Sequence, residues 1–427
     1  MDKDLRAGIH NAVQALREQA VGDLSELVSM DSTLGSEQAA QSQVRNTYSK
    51  LGLEVDEVKI DLDALRTRPG FSPPLIDDTT GRINIVGRHH PQGTHKGRSL
   101  ILNGHIDVVP AEQLSMWTRP PFEPWVDGDW LYGRGSGDMK AGIVSNYMAI
   151  QALKNLGYQP AAAVTLQSVI EEECTGNGAL ACLEAGYRAD AAIITEPEDL
   201  HMMSGQLGVM WLQVEVSGKP AHVLNTSAGI NAIEAAYAIF AGLRHIEKLW
   251  NQPENRHPAY EHHAHPINFN LGKISGGEWA SSVPSHCVTD IRVGFYPDMK
   301  LEDVKKALEI RIGEVAASHP SCNGAKVQIH YRGFQAEGFT IDESEPVFSE
   351  LGRAHKDVLG YDCPSFNSTA TTDARFFHIY GGIPATCYGP IAENIHGIDE
   401  RVSIQSMMQV IEVLAVFISR WCGLESL

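Results

Sequence analysis

Several side chains able to bind metal or move protons fall just after apolar runs in this sequence. Gly104-His105-Ile106-Asp107-Val108-Val109-Pro110 closes the run 99–109. Imidazole is a common ligand for borderline metals. A carboxylate two residues on shares the side of a strand and can orient the ring. A structural histidine fits this motif alone equally well. Next, glycines crowd Asp138 between Tyr132 and Gly142. Small neighbours let the backbone close around a metal, and two carboxylate oxygens can bridge two ions; a helix N-cap is the competing reading. No G-K-[ST] follows, so this is not a phosphate loop. Glu171, Glu172 and Glu173 follow the run 164–170. Adjacent carboxylates repel unless cations neutralise them; a solvated acidic loop is the alternative. Thr195-Glu196-Pro197 and the late segment from Tyr388 through His396 to Glu400 complete the set. Together they supply nitrogen and oxygen ligands, without thiolate, for a two-metal site, with one glutamate left as general base.

These motifs resemble the co-catalytic metallohydrolases that include acetylornithine deacetylase, succinyl-diaminopimelate desuccinylase, aminoacylase and glutamate carboxypeptidase. The resemblance covers nearly the whole chain. It rests on G-H-x-D-V-V-P at 104–110, G-R-G-x-x-D-M-K-x-G at 133–142, E-E-E at 171–173 and E-P at 196–197. It continues with G-K-x-x-H at 218–222, T-D-A-R-F at 372–376 and the closing G-P…H-x-x-[DN]-E.

The resemblance implies that His105 and Glu196 bind one divalent metal, that Glu173 and His396 bind the second, and that Asp138 bridges both. Asp107 would orient His105, and Glu172 would be the general base. Because all three acidic positions are glutamate, a one-residue slip stays open, and Glu198 competes with Glu196. His222 would stabilise the oxyanion, often in a partner subunit's site, although Val223 stands where a small residue is usual. Asn268 and Arg292 fall where substrate carboxylate or amide groups are contacted, and Arg375 and Gly389 are candidates for the pocket rim. Zinc is the expected metal, with manganese or cobalt able to use the same ligands. The expected reaction is hydrolysis of a small N-acyl amino acid or related carboxylated amide, in a homodimer formed through the lid. The alternatives are hydrolysis of a non-peptide C–N bond, as in a formylaminopyrimidine or an aminobenzoate, and a catalytically dead binding protein. Trp117, Trp279 and Phe366 would line a flat pocket for the former, or else belong to the core.

The elements that must position these residues read as an α/β fold with a mostly parallel sheet, of the zinc-peptidase type by resemblance. Helices fit 7–30, 36–53 and 140–156; strands fit 83–88, 99–109, 164–170 and 189–195; a surface loop spans 66–81. Near residue 208 the pattern changes. Strands at 209–218, 268–277, 286–297 and 325–333 alternate with helices at 229–248 and 301–318. That β-α-β-β-α-β order is ferredoxin-like. It marks 208–333 as an inserted lid or dimerisation domain, with 1–207 and 334–427 forming the catalytic domain.

The 427 residues suit about two domains, and 43% hydrophobic with 20% charged residues is an ordinary globular mix. A net charge of −19 repels phosphate backbones, so nucleic acid is not an expected partner. No apolar run reaches the ~18 residues of a membrane helix, and charges through 1–30 argue against a signal peptide. The seven cysteines are scattered without a C-x-x-C pair. They read as reduced thiols in a cytoplasmic protein, with Cys174 as packing. His89, His90 and His95 lie in a polar loop. His257, His262, His263 and His265 read as a surface loop, or else as a further metal site.

Overall fold

The computed structural model describes residues 3–93 and 96–427, so His95 lies outside the described residues. A six-stranded sheet carries the larger of the two main apolar cores. Its order is Glu54–Lys59, Ile83–His89, Val164–Val169, Leu100–His105, Ala192–Ile194 and Ala385–Cys387. The last four run parallel, and the first two join antiparallel. Leu100–His105 is buried along its whole length, as a central parallel strand requires. The almost wholly buried helix Ala141–Asn155 packs on it, and the apolar helix Ile404–Trp421 packs on that helix in turn.

The edge strand Glu54–Lys59 escapes the sequence reading because EVDEVK has no apolar alternation; charge on an edge strand blocks further pairing. The expected single N-terminal helix is two, Lys3–Ala15 and Arg17–Val28, breaking at the buried Leu16. One apolar stripe, Ile9, Val13, Leu16, Ala20, Leu24 and Leu27, runs through both and hides the break.

From Gly208 to Ala336 the chain builds a second layer with its own apolar core. Four antiparallel strands stand in the order Phe269–Gly276, His286–Phe295, Gly208–Ser217 and Lys326–Ala336. Helices Ala232–Trp250 and Leu301–Ser318 pack against them. Gly208–Ser217 alternates buried and half-exposed residues, as one covered face demands. The final strand runs three residues beyond the expected 333. The chain then returns to the first sheet, where Ala385–Cys387 adds parallel to Ala192–Ile194. Among the described residues no helix is long and apolar enough to cross a membrane, and all seven cysteines are free.

Candidate active site

The central parallel strands end on one side of the sheet, where open α/β folds gather ligands. His105 is the last residue of its strand. Its Nδ1 lies 2.9 Å from the Asp107 carbonyl, which can only accept, so Nδ1 carries the proton and Nε2 is free to ligate. Nε2 stands 3.0 Å from Asp138 Oδ1, 3.7 Å from Glu196 Oε2 and 3.9 Å from Glu172 Oε2. Asp107 thus meets the ring through its carbonyl, with its carboxylate 3.7 Å from Nδ1. The strand ends before Asp107, and that carboxylate also accepts the main-chain N–H groups of Glu172 and Glu173 at 3.3 and 3.1 Å.

Asp138 lies between the two imidazoles, Oδ1 toward His105 and Oδ2 3.3 Å from His396 Nε2. His396 Nε2 is also 3.1 Å from Glu173 Oε2. Donor atoms of His105, Asp138 and Glu173, and of His105, Glu172 and Glu196, each lie within 4.8 Å of one another. Glu198 joins neither group, although burial pushes its carboxyl up to about 8.

The local chain explains this convergence. Glu171 takes a left-handed φ of 67°, so the two residues after it leave the strand direction together. Glu196 follows a strand whose main chain is gripped by two glycines. A Cβ on Gly142 would stand 2.1 Å from the Thr195 carbonyl oxygen, and one on Gly389 would stand 2.0 Å from that of Glu196. Gly389 is therefore buried backing for Glu196 and not a rim residue. His396 sits at φ 60° on a loop tied down by Asp399, whose carboxylate accepts both the N–H and hydroxyl of Thr118.

Electrostatics test whether this set fits cations. Among the described residues the only ion-pair partners of Asp138, Glu172, Glu173 and Glu196 are the two histidines. Glu172 Oε1 is buried with no hydrogen-bond partner. Burial raises Glu172 well above the ordinary carboxylate range and brings Glu196 to about 7. Glu173 above all draws His396 up to about 11. His105, which burial alone would lower, is raised by Glu196 and Asp138. Four carboxylates around two imidazoles, with an unspent oxygen and no Lys or Arg in an ion pair with them among the described residues, make a donor set that calls for divalent cations.

Some supporting residues carry weak sequence signals or none. Glu400 Oε1 accepts the N–H groups of Gly137 and Asp138 at 3.0 and 3.1 Å, while its Oε2 meets Arg134 at 2.6 Å. Arg134 also donates to the Gly397 carbonyl, so one buried pair braces both the Asp138 and His396 segments. Only the motif ends, G-R-G and the terminal Glu, hinted at either. Lys140 is buried and donates to the Leu27 and Met30 carbonyls, joining the second helix to the Asp138 segment. Asp373 is buried with both oxygens unpartnered.

The remaining candidates stand elsewhere. Arg375 is fully buried, donating to the Thr372 and Thr175 carbonyls and lying over Phe376, so it does not line a rim. His222 is exposed in the lid, and its Nδ1 accepts the Leu224 N–H. Asn268 is also exposed, and its carbonyl accepts from Arg292. Trp117 lies against Arg134, Phe366 packs on the core, and Trp279 is solvent-exposed, so no flat aromatic pocket forms from them. The histidine-rich stretch holds no group of three metal donors among the described residues. His257 caps a short turn, His265 pairs with Glu247 and His262 with Glu261.

The family model described as Peptidase family M20/M25/M40 matches residues 101–420. The chain is 28% identical over 431 residues to the N-formyl-4-amino-5-aminomethyl-2-methylpyrimidine deformylase of Bacillus subtilis (strain 168), covering 96% of this chain and 98% of that one. It is 26% identical over 355 residues to the succinyl-diaminopimelate desuccinylase of Paracoccus denitrificans (strain Pd 1222), covering 81% and 88%. Among solved structures, a dipeptidase of Saccharomyces cerevisiae superposes with a TM-score of 0.79 at 14% identity over 98% of both chains. Human carnosine dipeptidase 1 does so with 0.78 at 15% identity, over 98% of this chain and 99% of that one. At such identities the structural likeness bears on the fold.

Proposed function

The chain belongs to the peptidase family M20/M25/M40 and is a metal-dependent hydrolase of amide C–N bonds, and from that premise we propose that it acts on a small N-acyl amino acid or a related carboxylated amide. The observation carrying this reading is Arg292. Its guanidinium is half-buried and, among the described residues, donates only to the carbonyls of Asn268 and Thr369, at 3.4 and 3.2 Å. No carboxylate pairs with it among the described residues, and burial lowers its pKa. A guanidinium in that state gains most from a carboxylate brought by substrate.

His105 and Glu196 would hold one divalent cation, Glu173 and His396 the other, and Asp138 would span both; zinc, manganese and cobalt suit these donors. Bound there, such ions acidify a water and polarise a carbonyl. Glu172, with its unpartnered Oε1, takes the proton of the attacking water and returns it to the leaving amine. Asp107 keeps Glu172 and Glu173 in place through their main-chain N–H groups.

The same proposal divides the chain into a catalytic domain, 1–207 with 334–427, and a lid, 208–333. It pairs two copies through the lid. In support, Phe269–Gly276 is an edge strand, and apolar Leu224 and Trp279 are 89% and 74% exposed in the same layer as His222. His222 would then stabilise the oxyanion in the partner's site. A cytoplasmic setting suits the seven free thiols.

A panel of amides assayed on metal-reconstituted enzyme tests this reading. Acetyl-ornithine or another N-acyl amino acid should give the highest kcat/KM. Turnover confined to N-formylated aminopyrimidines would replace it with a second reading, deformylation. That reading is favoured by the matches of 28% and 29% identity to two such deformylases, over 96% and 90% of this chain.

A further inference from the structure

We infer that Glu171, with Arg82 and Glu37 behind it, is a positioning residue for the proton transfer by Glu172. The inference rests on Glu172 being the base. Three consecutive glutamates end the strand Val164–Val169 and its follower Ile170, yet only the last two face the metal donors. Glu171 turns the opposite way. Its Oε1 meets Arg82 at 2.5 Å and its Oε2 accepts the Thr175 hydroxyl at 2.6 Å. Arg82 donates in turn to Glu37, at 2.5 Å to Oε1 and 3.4 Å to Oε2, and all three residues are buried.

Two consequences follow. A left-handed φ at a residue with a Cβ is disfavoured and persists only when its surroundings over-determine it. Here they do. The Glu171 carbonyl accepts N–H groups from Thr175 and Gly176 at 2.9 and 2.6 Å, while its side chain is fastened at both oxygens. The turn delivering Glu172 is thus held on one side by Glu171 and on the other by the Asp107 carboxylate. The pairing with Arg82 also removes a third glutamate from a pocket built to attract cations, so that it competes neither for metal nor for the proton.

The test uses Glu171→Gln, Arg82→Met and the conservative Arg82→Lys in the full-length, metal-loaded enzyme, with Glu172→Gln alongside, on whichever amide the wild type turns over. Bound metal per chain, Tm, kcat and KM are measured separately. Glu171→Gln and Arg82→Met should each lower kcat by roughly tenfold or more with KM changed by less than about threefold. Metal content should be retained, Arg82→Lys should recover part of the loss, and the double variant should be no worse than the poorer single one. Should Arg82→Met fail to fold, Glu171→Gln alone decides. An unchanged kcat with a lowered Tm would overturn the inference, as would metal lost in proportion to activity. Retained activity in Glu172→Gln would instead refute the assignment of the base.

Discussion

Five candidate ligands from five chain segments meet in the catalytic half, whereas His222 and Asn268 in the lid lie exposed, the one accepting the Leu224 N–H and the other, at its carbonyl, the Arg292 guanidinium. The difference lies in what supplies the neighbours. Parallel strands ending on one edge bring His105, Glu172, Glu173 and Glu196 together within one chain. The lid's antiparallel sheet covers one face with helices and leaves an edge strand and apolar Leu224 and Trp279 open. Candidates carried to strand ends are completed by the fold, even at His396, whose side chain stays 53% exposed; the lid candidates wait for another surface or for substrate.

The sharpest way to break this comparison is within the metal-donor cluster. Glu172→Ala should cost about 10^3-fold in kcat while leaving bound metal unchanged, because Glu172 is the carboxylate with an unspent oxygen. Near-normal turnover would show that the cluster's convergence is not catalytic. A smaller loss is expected one layer out. Glu400→Gln keeps its shape but weakens its hold on Arg134 and the Asp138 N–H. Metal affinity, read by competition with a chelator, should fall by roughly 10–100-fold, and unaltered affinity would reduce the Arg134–Glu400 pair to packing.

How much of this was legible depended on whether the signal was local. His105, Asp138 and Glu196 each follow an apolar run or a glycine cluster, and a reader of strand ends can find them. The parting of Glu171 from Glu172 was not legible, since it is made by one backbone angle and by an arginine 89 positions away. Arg134 and Glu400 stand 266 positions apart, so no spacing could pair them. Arg375 looked like a rim cation because sequence alone does not register that Thr175, Thr372 and Phe376 enclose it. Lid strands and helices were readable from their alternation, but what the lid's open edge faces is not a property of one chain.

On the lid side the effects should be smaller and substrate-dependent. Arg292→Ala should raise KM for carboxylated amides about tenfold with little change in kcat, the loss of one charge-assisted contact. An equal effect on an uncarboxylated formamide would show that Arg292 braces Thr369 and does not read substrate. Replacing Trp279 and Leu224 together by Ser should shift sedimentation toward a single copy. If the wild type already sediments as one copy, His222 serves its own chain or none.

The smallest expected effect contrasts the halves through pH. His355 is wholly buried in the catalytic half, its Nδ1 2.9 Å from the Tyr388 hydroxyl and its Nε2 unpartnered. Burial, with help from His201, lowers its pKa to about 4. An unfolded histidine titrates near 6.5. The fold therefore favours the neutral ring, and the unfolded chain binds the extra proton between those values. This stabilisation is complete above about pH 6.5 and is lost as pH falls toward 4, amounting to about 2 kcal/mol by pH 5. Denaturant unfolding of wild type and His355→Gln at pH 7.5 and pH 5 should show the wild type losing more stability on acidification by that amount. Parallel losses in the two proteins would place the acid sensitivity elsewhere, with the carboxylate cluster the next place to look.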